Sequence, residues 1–237
     1  NYMKVSIITA CYNRVNLIED TLKSIQNQSY NDIEYIVIDG NSNDGTIDKL
    51  REYSDSITKL IIEEDESMYD AINKGLKLCS GDIIGILNSD DMLYDEFTIQ
   101  NVVQHFIKND GISGVYGDII LFNSERQKYR KVFQINFQNL LSFGKGTIVP
   151  HPTLYVRREL YQKYKYDLMY KYAADYDLIL RLIRKYKIVY LSIPIVRFRQ
   201  HEGSITASRV IGIEANQVRS RYISRYKVKY VQFRKWG

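Results

Sequence analysis

Cysteine is scarce in this chain. Only Cys11 and Cys79 occur among 237 residues, in neither a CxxC spacing nor a Cys/His cluster. That excludes a disulfide framework and a zinc site and fits a reducing cytosol. Long apolar runs are also missing: nothing approaches the roughly 20 residues of a membrane-spanning helix, and the N-terminus lacks the basic-then-apolar order of a signal peptide. The expectation is a soluble or peripheral protein; Asn1 and Tyr2, which precede Met3, carry no weight in it. The stretch Thr9 to Arg14, which follows the first strand, contains no glycine. A GxGxxG dehydrogenase loop is therefore absent, and so is the glycine-rich basic triphosphate loop that a nucleotidyltransferase would need. Acidic residues are absent from Arg219 to Lys235, where seven basic residues occur, interleaved with Tyr222, Tyr226, Tyr230 and Phe233 and followed by Trp236. Such a segment suits an anionic surface, membrane above all, or else a solvated or dimer-forming helix.

What is present is a strand and helix alternation. With 45% hydrophobic residues the chain can bury one sizeable core, and its length demands no second domain. Lys4 to Thr9, Glu34 to Ile38, Lys59 to Ile62 and Asp82 to Leu87 read as buried strands. Between them, Asn16 to Gln28 (with Asn16 as N-cap), Thr46 to Tyr53 and Met68 to Leu78 carry apolar residues at helical spacing. This predicts an α/β fold, a mostly parallel, doubly wound sheet with helices on both faces. The second half is less regular: short strands at Val115–Tyr116, Ile119–Phe122 and Lys128–Phe133, and helices at Arg158–Lys163 and Asp175–Lys185. We divide the chain into a domain over residues 1–210, with halves 4–95 and 96–210, and a helical tail over 211–237.

In an open sheet of this kind ligands gather beyond the carboxyl ends of the strands, and polar residues cluster there. Asn88-Ser89-Asp90-Asp91 follows the fourth strand. Two adjacent carboxylates repel each other by roughly 4 kcal/mol at about 4 Å and an effective dielectric near 20. A divalent metal relieves this, and Mg²⁺ or Mn²⁺ would take one or two carboxylates with phosphate oxygens and water; a solvated, helix-capping turn is the bland alternative. After the second strand comes Asp39-Gly40-Asn41-Ser42-Asn43-Asp44-Gly45-Thr46, in which Asp39 could accept from the N–H of a base while Asp44 to Thr46 cap the next helix. The acidic start of Glu64 to Gly75 would match the dipole of any helix, and Ala71, Ile72 and Leu76 read as core.

Taken in order, VSIITACYNR, VIDGNSNDGT, EEDESMYDAINKG and GDIIGILNSDD resemble the nucleotide-binding half of glycosyltransferase family 2, inverting enzymes of the GT-A fold. The likeness is close over residues 4 to 95 and looser to about 205. It implies that Thr9, Tyr12 and Asn13 hold the nucleotide, that Asp39 meets a uracil ring, that Asp65 lies near the base, and that Asn73 and Lys74 flank the donor pocket. Ser89-Asp90-Asp91 stands for the DxD motif, with serine in place of the first aspartate; Asp91 is the expected metal ligand, and Asp90 sits by the ribose or donor sugar. Asp175, where the family's acidic base motif falls although Ala174 replaces its glutamate, is the expected catalytic base, with helix capping as the alternative. His201 resembles a histidine that relatives place against the metal or diphosphate; Arg199 and His151 are candidates for diphosphate or acceptor contact.

The implied reaction is a single in-line displacement in which Asp175 deprotonates an acceptor hydroxyl while Mn²⁺ or Mg²⁺ steadies the departing diphosphate. The implied partners are a nucleotide-sugar donor, UDP-linked because of Asp39, and a glycan acceptor, lipid-linked as in surface polysaccharide assembly. A cytoplasmic enzyme, peripheral at an anionic inner-membrane face, follows. The rivals are a nucleotidyltransferase and a non-catalytic nucleic-acid or membrane module. Strand-end acids would repel a phosphate backbone, so no nucleic acid is expected.

Overall fold

A computed structural model of the chain describes residues 2–123, 126–132, 134–136, 149–200 and 209–226, with only the backbone at 209–211 and 224–226. Strands β1 (Val5–Cys11), β2 (Ile33–Asp39), β3 (Lys59–Ile62) and β4 (Ile83–Ile86) alternate with helices α1 (Ile18–Gln26), α2 (Thr46–Glu52) and α3 (Met68–Leu78). The rest comprises β5 (Met92–Leu93), α4 (Thr98–Lys108), β6 (Gly114–Phe122), β7 (Gln127–Arg130), β8 (Tyr155–Arg157), α5 (Arg158–Lys163), α6 (Ala174–Ile183), β9 (Ile188–Arg199) and α7 (Arg209–Tyr226).

The apolar runs of β1 and β2 are explained by cover on both faces. Successive side chains of a strand point to opposite sides, so Val5 and Ile7 pack with Ile18 and Leu22 of α1, Leu50 of α2 and Phe106 of α4. Ile8 packs the other way, with Ile72 and Leu76 of α3 and Leu178 and Leu182 of α6. The expected doubly wound arrangement is thus present. Close approach is built in at Gly85, where a Cβ would stand 2.2 Å from the Tyr155 ring.

The sheet order is β3-β2-β1-β4-β8-β6-β9-β5, with β7 on β6. Strands β1 to β4, β6 and β9 run one way, and β5, β7 and β8 run the other. The chain winds outward from β1 to β3 and then returns to place β4 on the other side of β1. The carboxyl ends of β1 and β4 therefore flank a topological switch point, where open α/β sheets bind ligands.

Several elements differ from the sequence reading. Helix α1 starts at Ile18, and Asn16 is not its cap: the N–H groups of Leu17 and Ile18 both donate to Arg14 O at 2.9 Å, so a backbone turn does the capping. The two short strands at 115–122 are one, β6, whose register with β9 shifts around Asp118, opposite Pro194; proline lacks the ladder donor and belongs at such an irregularity. Helix α4, β8 and β9 were not read at all. Helix α7 crosses the boundary drawn at 210 and packs on α6 through buried Ala215, Val218 and Tyr222. The remainder of the basic tail, 227–237, lies outside the described residues. Among the described residues no helix is long and apolar enough to cross a membrane.

Candidate active site

The loops after β1 and β2 are laced together. Asp39 is fully buried; its Oδ1 accepts the Ser42 N–H at 2.7 Å, and its Oδ2 accepts the Ser42 hydroxyl at 2.7 Å and the Cys11 thiol at 3.2 Å. Burial, and then the Asp39 charge, push the Cys11 thiol far up, so it stays a donor. Asn13 and Asn41 adopt φ of 52° and 63°, a left-handed conformation that asparagine tolerates better than most residues. The Asn13 N–H donates to Ser42 Oγ at 2.8 Å, and Asn13 Oδ1 accepts the Asn43 N–H at 3.0 Å. Asp44 caps α2 as expected, accepting the Thr46 N–H at 2.9 Å, and it also binds Val15 N–H at 3.1 Å. Thr9 is interior: its hydroxyl donates to Leu87 O at 2.9 Å and accepts from Tyr35 at 3.0 Å, tying β1 to the end of β4.

Gly40 lets Tyr12 and Asp65 approach each other above this lacing: a Cβ there would stand 3.3 Å from Tyr12 Cδ2 and 3.5 Å from Asp65 Oδ2. Tyr12 is 55% exposed. Asp65 Oδ1 is buried and pairs with Lys74 Nζ at 2.7 Å. Burial raises the Asp65 carboxyl against the pull of Lys74. Lys74 also reaches Glu63 at 3.0 Å, Asp70 at 3.5 Å and Glu64 O at 2.9 Å. It neutralises the acidic segment before α3, and these bonds, that with Asp65 first, hold its ammonium above the usual range. Asn73 is committed elsewhere, exchanging bonds with Tyr166 N and O at 3.0 and 2.9 Å.

The acidic pair sits at the end of β4. Asp91 is buried; its Oδ1 accepts the Arg199 N–H at 2.9 Å, its Oδ2 accepts from Asn88 Nδ2 at 2.8 Å, and its carbonyl accepts from Thr21 at 2.6 Å. Burial, and then neighbouring Asp90, push its carboxyl well above the usual range. Asp90 is the more accessible of the two. Arg199 ends β9 against this loop: its guanidinium donates to Asp90 O at 3.1 Å and to Asp20 at 2.5 Å, and it lies 4.8 Å from the Phe122 ring centroid. It clamps the loop through Asp20, the Asp90 carbonyl and a cation–π contact. His201 lies outside the described residues. Among the described residues no group of three His, Cys, Asp or Glu side chains is arranged to hold a metal ion.

Asp175 is half-buried in the first turn of α6. Its Oδ1 accepts the Tyr69 hydroxyl at 3.2 Å and the Tyr176 N–H at 2.8 Å. Tyr69 opens α3, behind the Ser67 cap, so its contact brings Asp175 to the same rim as the β3 end. Burial, and then the Asp175 charge, keep the Tyr69 phenol protonated. Behind it, Tyr69 stacks on Tyr166 with centroids 5.3 Å apart, and Tyr166 meets buried His151 Nε2 at 2.5 Å. Burial lowers the His151 pKa, with Asp175 opposing, so this ring is neutral.

Two site residues escaped sequence reasoning. Tyr69 is one; the other is Glu214 of α7, whose carboxylate accepts the N–H groups of Lys171, Tyr172 and Ala173 at 3.1, 2.6 and 3.0 Å. Glu214 ties down the chain entering α6, a task the sequence would have assigned to Asp175.

These residues sit on a known scaffold. The fold is that of GT-A glycosyltransferases: S. aureus TarS 1-349 in complex with UDP-GlcNAc superposes with a TM-score of 0.73 at 17% identity, over 96% of this chain and 74% of that one. Glucosyl-3-phosphoglycerate synthase from Mycobacterium tuberculosis, in complex with Mn²⁺, UDP and phosphoglyceric acid, gives 0.66 at 18% identity, over 96% and 80%. The Glycosyl transferase family 2 profile matches residues 6–165, and the chain belongs to that family. Among relatives, the Escherichia coli UDP-Glc:alpha-D-GlcNAc-diphosphoundecaprenol beta-1,3-glucosyltransferase WfgD is 30% identical over 211 residues, 86% of this chain and 80% of that protein.

Proposed function

We propose that this glycosyltransferase moves a sugar, with inversion, from a UDP-linked donor to a hydroxyl of a lipid-linked glycan acceptor, using Mn²⁺ or Mg²⁺, in surface polysaccharide assembly. The observation that carries the reading is the adjacent pair Asp90 and Asp91 at the switch point beside β1. Its oxygen donors suit a hard divalent ion, and an ion there would offset the repulsion between the two neighbouring carboxylates. Asp91, the ligand expected from the sequence, is buried with Oδ1 held by the Arg199 N–H and Oδ2 by Asn88 Nδ2, so Asp90, the more accessible, would be the first ligand, with Asp91 the buried charge behind it. When bound, the ion supplies positive charge to the leaving diphosphate.

The other residues divide the remaining work. Tyr12 and Asp65, which meet across Gly40, would take the base: Tyr12 offers a stacking face and Asp65 an acceptor for a base N–H. Asp39, expected from the sequence to meet the uracil ring, is fully buried with both oxygens taken by Ser42 and Cys11, so its part would be to fix that loop. Asp175 accepts the acceptor's proton as the acceptor oxygen attacks the anomeric carbon; among the described residues the hydrogen bonds of its carboxylate fall on Oδ1, and Oδ2 would take the proton. Tyr69 holds the carboxylate in place. The lipid-linked acceptor and the uridine donor are supported by the activity named for the relative WfgD.

The test is a donor screen with UDP-, GDP- and dTDP-sugars, with and without Mn²⁺, reading nucleotide release. Release should be confined to UDP-sugars and lost with chelator. In Asp175→Asn, transfer should fall by about 10² to 10⁴ while UDP binding stays unchanged. Full turnover by that variant would remove Asp175 as the base.

A further inference from the structure

A second concave feature lies away from the rim. Between α6, α7 and the turn after α5 is a cleft of about 350 Å³, lined by Tyr164, Asp167, Arg181, Arg184, Lys185 and Arg221, with Asp177 and Tyr222 at its floor. The floor is fixed: buried Asp177 accepts from Arg181 Nε at 2.7 Å and from the Tyr222 hydroxyl at 3.0 Å. Four basic side chains face two acidic ones, and Asp177 is already paired. Asp177, Arg181, Arg184 and Lys185 share one face of the helical register, whereas Asp175 falls on the opposite face. The cleft is therefore separate from the proposed base.

Beside the cations is an apolar tip. Leu168 and Met169 directly follow Asp167 and are 46% and 75% exposed. The turn that presents them is held: Asp167 Oδ1 accepts the Met169 N–H at 3.1 Å, and Asp167 O accepts the Tyr170 N–H at 3.1 Å. Arg221 braces it from α7, 3.5 Å from Asp167 and 3.4 Å from the Tyr170 hydroxyl. Tyr164 has Lys163, Arg181 and Lys185 within 5.7 to 5.9 Å of its ring. A soluble phosphate ester would use the cations but not the exposed Leu-Met pair. A bilayer uses both, the cations at the headgroups and the apolar tip at the acyl boundary.

We propose that this cleft receives the phosphate of an anionic phospholipid headgroup while Leu168 and Met169 enter the acyl boundary, seating the α6–α7 face on a membrane. The proposal rests on the reading that the acceptor is membrane-borne, and deepens it by naming the surface. It also moves the contact away from a free tail, because Tyr222 is part of the packed core.

The experiment is cosedimentation of the full chain with phosphatidylcholine vesicles, with and without phosphatidylglycerol. The wild type should bind only the anionic vesicles. Each Lys or Arg near such a surface is worth about fivefold in affinity, so Arg184→Glu with Lys185→Glu should weaken binding by about 25-fold or more. Leu168→Ser with Met169→Ser, on an exposed turn that does not endanger folding, should weaken it several-fold. UDP binding should be unchanged in both, which separates this site from the donor site. Unchanged vesicle binding in both variants would place the contact elsewhere and overturn the proposal. Absence of wild-type binding would overturn it together with the membrane reading. Displacement by inorganic phosphate, with the Leu168 and Met169 changes silent, would overturn it in favour of a soluble anion site.

Discussion

Replacing Tyr69 by phenylalanine isolates one hydrogen bond at the proposed base. Phenylalanine keeps the ring stacked on Tyr166 at 5.3 Å and removes only the hydroxyl, which donates to Asp175 Oδ1 at 3.2 Å and lies 3.4 Å from Tyr172 O. A hydrogen bond to a charged group contributes about 1.5 to 3 kcal/mol at good geometry; at 3.2 Å we take the lower end, about 1.5 kcal/mol, or roughly a tenfold change. Because the contact orients the carboxylate, the loss should fall on kcat more than on KM. The assay is UDP release under saturating donor and acceptor, in the wild-type and Asp175→Asn backgrounds. Tyr69→Phe should slow the former about tenfold and leave the residual rate of the latter unchanged, since asparagine keeps an acceptor oxygen but no base for Tyr69 to orient. An equal loss in both backgrounds would refute the reasoning and make Tyr69 a packing residue alone.

Three further outcomes follow from the geometry. Gly40→Val pushes a side chain against Tyr12 and Asp65, 3.3 and 3.5 Å from where its Cβ would stand, and titration calorimetry should show UDP binding weakened roughly tenfold, about 1.4 kcal/mol. Gly85→Ala drives a Cβ to within 2.2 Å of buried Tyr155; overpacking of this kind costs about 3 kcal/mol, so the thermal midpoint should fall by about 6 to 12 °C, and a shift below about 2 °C would count against the packing account. Glu34 is buried at the opposite end of the sheet, where burial pushes its carboxyl up but Ser6, Ser80 and Lys59 outweigh it and hold it at about 2, below the usual 4.5. A depressed folded value means the unfolded chain takes up the proton first, so this stabilisation is present above pH 4.5 and is lost as pH falls towards 2. Urea melts should show Glu34→Gln less stable at neutral pH by about 2 to 3 kcal/mol, with the gap closing in acid.

The parts of the fold legible in the sequence are those set by local pattern. The runs at Val5, Ile36 and Ile84 announced strands covered on both faces, and Asp44 before Thr46 announced a cap; both rules need only neighbours. Asn16 misled because the sequence does not show that Arg14 O can collect two N–H groups in a backbone turn. Helix α4 carries Ile99, Val102, Val103 and Phe106 at helical spacing and was open to being read, whereas β9 hides its alternation behind Pro194. At the site, candidate residues stood in the loops that follow parallel strands, where topology converges them. The residues that position Asp175 were beyond reach, since Tyr69 is 106 residues away in the chain and Glu214 touches the chain before α6 from 41 to 43 residues on. Nothing local in the sequence marks such a contact.

The central claim is that Asp90 and Asp91 carry a divalent ion next to the nucleotide diphosphate. The most direct measurement is anomalous diffraction from crystals grown with Mn²⁺ and UDP. A manganese peak should stand about 2.0 to 2.6 Å from an Asp90 or Asp91 oxygen, the range of hard divalent ions, with the uracil ring against Tyr12 and Asp65. Manganese or uridine found only on another face of the sheet would contradict it.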